Sequence, residues 1–277
     1  MAQNIELVGK IGSMALIRRD DNDIDYNIFS RLGQDLRPGM IWVSSGATEI
    51  GRLDYMKRNN GRMPRGDAEE VKADFAAQGQ AVLMENYRRF IDQRYSVRQI
   101  LVEHTHFNDD AKRECIRSLF LRAAEQNAVP IVNYNDPVSD EENRKMELSQ
   151  MRARRHSEVV ECIDNDETAS VVARLVKARL LVIMTSTEGI YQDPADPSTL
   201  VEEVYASEPE AVVRKIRALQ AQCVGASRAG AGGARAKLEY MIEPVLQGTT
   251  VVIGHARHRL RDLANGKVRC TRIGIRP

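Results

Sequence analysis

"ARLLVIMTS", Ala178 to Ser186, is the stretch on which the fold turns. Its centre, Leu180 to Met184, is apolar without interruption, so neither face of the extended chain is made for water. A run of this length is strand-sized and far short of the roughly 20 residues of a membrane-spanning helix. A strand apolar on both faces belongs in a sheet covered by helices on each side, the setting in which parallel sheets occur. Such a sheet needs further runs of the same kind, separated by helical patterns.

They are present. "IELVGKIG" from Ile5, "GMIWVSS" from Gly39, "RQILVEH" from Arg98, "VPIVNYN" from Val129 and "TTVVIGH" from Thr249 all read as strands. Between them apolar residues recur at helical spacing: Leu83, Tyr87, Phe90 and Ile91; Ile116, Leu119, Phe120 and Ala123; Val171, Val172, Leu175 and Val176. Val212, Val213, Ile216 and Leu219 make a fourth stripe, and Leu238, Met241, Ile242 and Val245 a last one after Gly233. Aliphatic stripes of this kind are core and need no cofactor to explain them. The fold class is α/β with a buried, mainly parallel sheet.

Two stretches read as irregular. Met56 to Glu70 is a Gly/Pro/Asn-rich loop, and Asp136 to Glu161 is long and highly charged. Met146, Leu148 and Met151 are too sparse in the second for a firm helix, which leaves a mobile flap as an equal reading.

Composition narrows the function classes. With 40 basic and 39 acidic residues in 277 the net charge is +1, so no global field gathers nucleic acid or an anionic membrane, and any anion site must be local. Cys115, Cys162, Cys223 and Cys270 are scattered without a C-x-x-C pair, which points to a reduced, cytoplasmic setting rather than a disulfide or zinc framework. The N-terminus carries no secretory pattern.

In open α/β sheets ligands gather beyond the carboxyl ends of the strands. The loops there hold the unusual residues. In "VGKIGS", Lys10 at a strand end beside Gly12 and Ser13 suits a phosphate being moved; a lysine snorkelling from a strand end has the same appearance. In "SSGA", Ser45 suits a carboxylate or phosphate, and Ser44 or Ser45 equally suits capping the next helix. "VNYND" offers Asn133, Asn135 and Asp136, and "IDNDETAS" offers Asp164, Asn165 and Asp166, where Asp166 with Thr168 also reads as a helix cap.

"SRAGAGGARAKLEYM", Ser227 to Met241, sets glycines and Lys237 at a helix mouth, an anion-binding arrangement. It is not a Walker A loop, because Leu238 follows the lysine, and it lacks the preceding strand of a dinucleotide fingerprint. His104 and His106 in "EHTHFND" lack a third metal ligand, and no G-x-S-x-G or H-E-x-x-H motif supports a hydrolase.

Taken in order, these segments resemble the amino acid kinase superfamily, and within it the glutamate 5-kinases. "VGKIGS", "VSSGATEIGR", "FAAQGQAVLMENY", "VPIVNYNDPV", "DNDETASVVA", "TSTEGIYQDPAD" and "GAGGARAKLE" carry the resemblance across the whole chain. It implies a three-layer αβα sandwich with an open, mainly parallel sheet of about eight strands, forming one domain over residues 1–277. Residues 1–165 would be the acceptor-binding lobe and 166–277 the nucleotide-binding lobe.

By matching position, Lys10, Lys237, Asp166 and Gly12 would be catalytic, the lysines flanking the phosphoryl group, Asp166 organising them and Gly12 donating its N–H. Ser45, Asn133, Asp136 and Asn165 would hold the substrate. Thr185, Ser186, Gly189, Tyr191, Gly230, Gly232, Gly233 and Lys237 would surround ATP, with Mg²⁺ carried on phosphate oxygens and few protein ligands. The implied reaction converts a side-chain carboxylate of glutamate or a related amino acid to an acyl phosphate, as at the start of proline biosynthesis. A homo-oligomer, dimer or tetramer, is the expected assembly.

The sequence also departs from the pattern. Tyr134 stands where the family has an acid, Ser186 where it has Asp, and Ala231, Ala234 and Ala236 where it has Thr, Met and Thr. The segment from Asp136 to Asp164 is longer than usual, and the sequence ends without the RNA-binding-type module of many bacterial members. These departures open a second reading, a kinase of the same fold with another acceptor. A third is a degenerate regulatory binder; retention of both lysines and Asp166 argues against it.

Overall fold

The computed structural model describes residues 5–18, 20–139, 141–154, 159–162, 164–193, 195–223 and 233–276. The sheet strands are β1 (Leu7–Ile11), β2 (Met40–Ser44), β3 (Ser96–Val102), β4 (Ala128–Tyr134), β5 (Leu180–Thr185), β6 (Glu203–Ala206), β7 (Thr250–His255) and β8 (Thr271–Ile275). They form one eight-stranded sheet in the order β6-β8-β7-β5-β1-β2-β4-β3. The six strands legible in the sequence all run in one direction. The two it did not yield, β6 and β8, pair with each other and run against β7 at one edge. Their mixed composition explains the miss: exposed Glu203 on the edge strand β6 and partly buried Arg272 opposite it on β8 interrupt both apolar runs.

The principal helices are α1 (Tyr26–Asp35), α2 (Ala47–Arg58), α3 (Ala68–Phe90), α4 (Asp110–Glu125), α5 (Glu141–Arg154), α6 (Asn165–Val176), α7 (Pro209–Gln222) and α8 (Gly233–Leu246). They cover both faces, because strand side chains alternate. On β5, Leu181 and Ile183 join the core beneath α4, α6, α7 and α8, while Val182 and Met184 join the one beneath α1, α2 and α3. The architecture is the αβα sandwich. No helix among the described residues is long and apolar enough to cross a membrane.

Residues 141–154, for which helix and flap were equal readings, form a helix. Its apolar period is short because one side chain does most of the docking: Leu148 is buried while Met146 stays exposed. Helix starts also differ from expectation. Gly46, at φ 99°, is the N-cap of α2, and neither serine before it caps the helix. A methyl group there would meet Leu16 at 3.0 Å, so the left-handed turn and the close approach both ask for glycine. The cap of α6 is Asp164, which accepts from the Asp166 and Glu167 amides, and not Asp166.

Two features of this frame set the site. The chain crosses between β1 and β5, with β1 to β4 on one side of that boundary and β5 to β8 on the other, a topological switch point. Helices α2 and α3 cross in near backbone contact at Gly51 and Gly79, where an added Cβ would fall 1.8 Å from the carbonyl oxygen of Phe75 or Ala47. That closeness seats Gln80, the next residue, beneath the carboxyl end of β4.

Candidate active site

Side-chain parity dictates where Lys10 points. Val8 lies in the core under α6 and α8, so Lys10, two residues on along β1, faces the same helices at the strand's carboxyl end. There its Nζ lies 2.7 Å from Asp166 Oδ1. The other carboxylate oxygen, Oδ2, accepts from Lys237 Nζ. Lys237 stands one turn into α8, and Asp166 in the first turn of α6. Three elements far apart in sequence thus bring two ammonium groups onto one carboxylate, with side chains only 11%, 16% and 11% exposed for Lys10, Lys237 and Asp166.

Burial pushes the Asp166 carboxyl up, but the charges of Lys10 and Lys237 and their hydrogen bonds outweigh it and hold it at about 2. The cluster therefore carries one net positive charge in a water-poor setting, at the helix end where the backbone dipole is also positive. An anion is the complementary ligand.

Beside it lies a neutral network. Asn165 Nδ2 donates to Ser45 Oγ and to Asn133 Oδ1, both at 3.1 Å. Asn133 Nδ2 donates to Gln80 Oε1 at 2.8 Å. The direction of the relay is set by a group that cannot turn round: the Tyr134 backbone N–H donates to Asn133 Oδ1 at 2.9 Å. Asn133 must then donate with its nitrogen, so Gln80 accepts with its oxygen. What remains is a donor, Gln80 Nε2, and an acceptor, Asn165 Oδ1, both buried without partners among the described residues. Buried amides left open are costly, about 1–3 kcal/mol each, unless a ligand completes them.

Asp136 stands apart from this network, across Tyr134, on the wall of a cleft of about 420 Å³. The cleft lies between the start of α3, residues 134–139 and α5, and Lys72, Tyr134 and Arg144 also line it. Asp136 as a residue is exposed through the open mouth. The protein crowded round its carboxyl still withdraws enough water to push it up to about 6, against the pull of Lys72 and Arg144. Tyr134 is buried; its hydroxyl meets Ser139 Oγ at 3.2 Å and His104 Nδ1 at 3.3 Å. His104 Nε2 reaches Glu147 of α5 at 3.0 Å, so α5 is tied to the loop that carries Asp136.

The expected N–H contact from Gly12 needs correction: its amide donates to the Met184 carbonyl at 3.2 Å, closing the gap between β1 and β5. Glycine there leaves room beside the amine, since a Cβ would stand 3.9 Å from Lys10 Nζ. That Met184 contact also places the start of the following loop, Thr185 and the exposed Ser186, next to Gly12. Farther along, Gly189 is buried where a Cβ would strike Thr271 Oγ1 at 2.3 Å, and Tyr191 lies half-buried in a small hairpin with Leu200–Val201. Glu188 pairs with Arg257 and, at 2.7 Å, with His258, joining this loop to the one after β7. Gly233 opens α8; Gly230 and Gly232 lie outside the described residues.

The model of the amino acid kinase family matches residues 7–255, which spans both lysines, Asp166 and the amide network. The chain belongs to the amino acid kinase family. Curated glutamate 5-kinases are similar along its length: that of Burkholderia thailandensis is 30% identical, over 99% of this chain and 68% of the relative, and that of Burkholderia mallei 31% over the same shares. Among solved structures, carbamate kinase from Giardia lamblia bound to AMP-PNP is similar, with a TM-score of 0.61, 14% identity and full coverage of both chains. A protein from Aeropyrum pernix K1 superposes with a TM-score of 0.56 at 16% identity over 98% of this chain.

Within this amino acid kinase, sequence reasoning gave no site role to Gln80 or Arg144, and it named Asp164 without making it the cap of α6. Gln80 follows the Gly79 that forces the α2–α3 crossing, and that glycine was the available signal. Arg144 had none, being one of many charges in a segment whose sparse apolar spacing left helix and flap as equal readings. Among the described residues no group of three or more His, Cys, Asp or Glu is placed to hold a metal ion.

Proposed function

We propose that this amino acid kinase transfers the γ-phosphoryl group of ATP to the side-chain carboxylate of glutamate or a closely related amino acid, giving an acyl phosphate. One observation carries the reading: Lys10 and Lys237, from opposite halves of the sheet, meet at Asp166 beyond the carboxyl ends of the strands. A carboxylate attacking phosphorus brings like charges together, so the step needs fixed cations more than a proton acceptor. With an ordinary pKa of about 4.3, a glutamate side chain is already ionised near neutral pH and needs no general base.

Lys10, at the end of β1, is the cation on the acceptor side. Lys237 is the cation on the leaving side, and Asp166 holds the two amines at fixed separation while leaving the cluster net positive. Ser45, Asn133 and Asn165, with Gln80 beneath them, orient the amino acid, and ionised Asp136 takes its ammonium. The loops from Thr185 to Tyr191 and before Lys237 border the nucleotide. On this reading the half containing β1 to β4 holds the acceptor and the half containing β5 to β8 the nucleotide. Mg²⁺ would supply charge neutralisation on phosphate oxygens, with few protein ligands.

The test is ATP-dependent hydroxamate formation in the presence of hydroxylamine and a panel of amino acids. Acyl phosphate from glutamate or a homologue is trapped as hydroxamate. Phosphate transfer without hydroxamate would mean a hydroxyl or nitrogen acceptor, and neither would mean a binder. Tyr134 and the helix α5 favour a second form of the same reading: an acceptor other than free glutamate, in a specialised pathway rather than proline biosynthesis.

A further inference from the structure

Helix α5 brings one more charged group, Arg144, to the acceptor side of the site. The cleft beside Asp136 is lined by six charged side chains: Asp67, Glu69, Glu70, Lys72, Asp136 and Arg144. Most are engaged by the chain. Asp67 and Glu70 form the capping box of α3, Asp67 accepting from the Glu69 and Glu70 amides and Glu70 from the Asp67 amide. Glu69 pairs with Lys72 at 3.5 Å. Asp136 accepts no side-chain hydrogen bond among the described residues, and Arg144 makes no ion pair among them. The Arg144 guanidinium instead lies over the Tyr134 ring, 5.8 Å from its centroid. One anion and one cation therefore face the same cleft of about 420 Å³ without a matching charge, close enough to feel each other.

A free α-amino acid carries that pair of charges on a single carbon. We infer that Arg144 binds the α-carboxylate of the acceptor while Asp136 holds its α-ammonium, so the substrate is a zwitterionic amino acid with both groups free and a second carboxylate directed towards Lys10. The inference rests on the proposed acceptor site. The neutral amides have no cation to offer an α-carboxylate, and both lysines are at Asp166. Guanidinium matches a carboxylate with two parallel donors, and contact with Tyr134 keeps it at the wall.

Ligands that lack one group at a time test this. L-Glutamate is compared with 4-aminobutyrate, which lacks only the α-carboxylate, and with glutarate, which lacks only the amine. L-2-Aminoadipate, 5-aminopentanoate and adipate form the longer series. Calorimetry on the whole chain and hydroxamate rates are read for the wild type, Arg144→Gln and Arg144→Lys.

The wild type should bind one of the amino acids about 10- to 100-fold tighter than its decarboxy amine. Arg144→Gln should bring that ratio close to one while affinity for the amine stays within about 2-fold, and Arg144→Lys should restore part of it. Equal weakening of acid and amine, an unchanged ratio, or no binding of either amino acid to the wild type overturns the assignment. Binding with the expected pattern but no hydroxamate defeats the phosphorylation reading and leaves Arg144 in place; hydroxamate with an unaffected ratio does the reverse.

Discussion

Asp166 and Asp136 are the same residue in two crowded settings, and their carboxyls move in opposite directions. Asp166 falls to about 2 because two ammonium groups of the chain touch it. Asp136 rises to about 6 because loss of water around its carboxyl outweighs the pull of Lys72 and Arg144, neither of which is bonded to it. The first charge is part of the fold and keeps two cations in place for a ligand. The second is left open, and an incoming ammonium would complete it. Loss of water raises both groups; contact with a partner decides which way the balance goes.

The sharpest way to break this contrast is Asp166→Asn. It leaves Lys10 and Lys237 side by side and buried without an anion, which should cost about 3–5 kcal/mol in a denaturant titration. Phosphate or ADP should recover part of that loss in the variant more than in the wild type. A variant as stable as the wild type would show that Asp166 does not organise the lysines.

Next come Lys10→Ala and Lys237→Ala. Each should lower turnover about 10²- to 10³-fold, as removal of a donor aimed at transition-state charge does. Each should leave the thermal melt close to wild type, since the remaining lysine still pairs with Asp166. Full turnover in both variants would remove them from the chemistry.

Asp136→Asn should act on the acceptor alone. In the wild type, affinity for the amino acid should rise as pH increases through about 6, because only the ionised carboxyl attracts an ammonium. The variant should bind about 10-fold more weakly at neutral pH and show no such limb, since one charge-assisted hydrogen bond is lost. A weakening confined to ATP would reverse the lobe assignment.

The pH dependence of stability separates the two aspartates with a smaller signal. Asp166, with a lowered folded pKa, contributes stability present above about pH 4 and lost as pH falls through about 2. Asp136, with a raised one, contributes in the opposite sense: its share is present below about pH 4 and lost as pH rises through about 6. Each limb should vanish from the melting profile of its own Asn variant.

Much of the fold is written in the chain's own composition. The six mutually parallel strands, the helical stripes between them and the polar residues at the strand ends are legible there, since strands inside the sheet are buried on both faces and even the edge strand β3 keeps an apolar end, Ile100 to Val102. Strands β6 and β8 are not, because exposed Glu203 and partly buried Arg272 break their apolar runs. Nor is α5, where Leu148 alone carries the burial that a periodic stripe normally shares out.

The sequence by itself determined which residue types were available: lysines beside glycines, paired Asx clusters and a parallel sheet to present them at one end. Only the tertiary structure decided how they meet. Strand parity turned Lys10 towards α6 and α8, two near-touching glycines lowered Gln80 under Asn133, and α5 delivered Arg144 to the wall facing Asp136. Those outcomes depend on which side of a sheet a residue falls and how closely two helices approach. Both are properties of the packed whole, to which no local stretch of sequence has access.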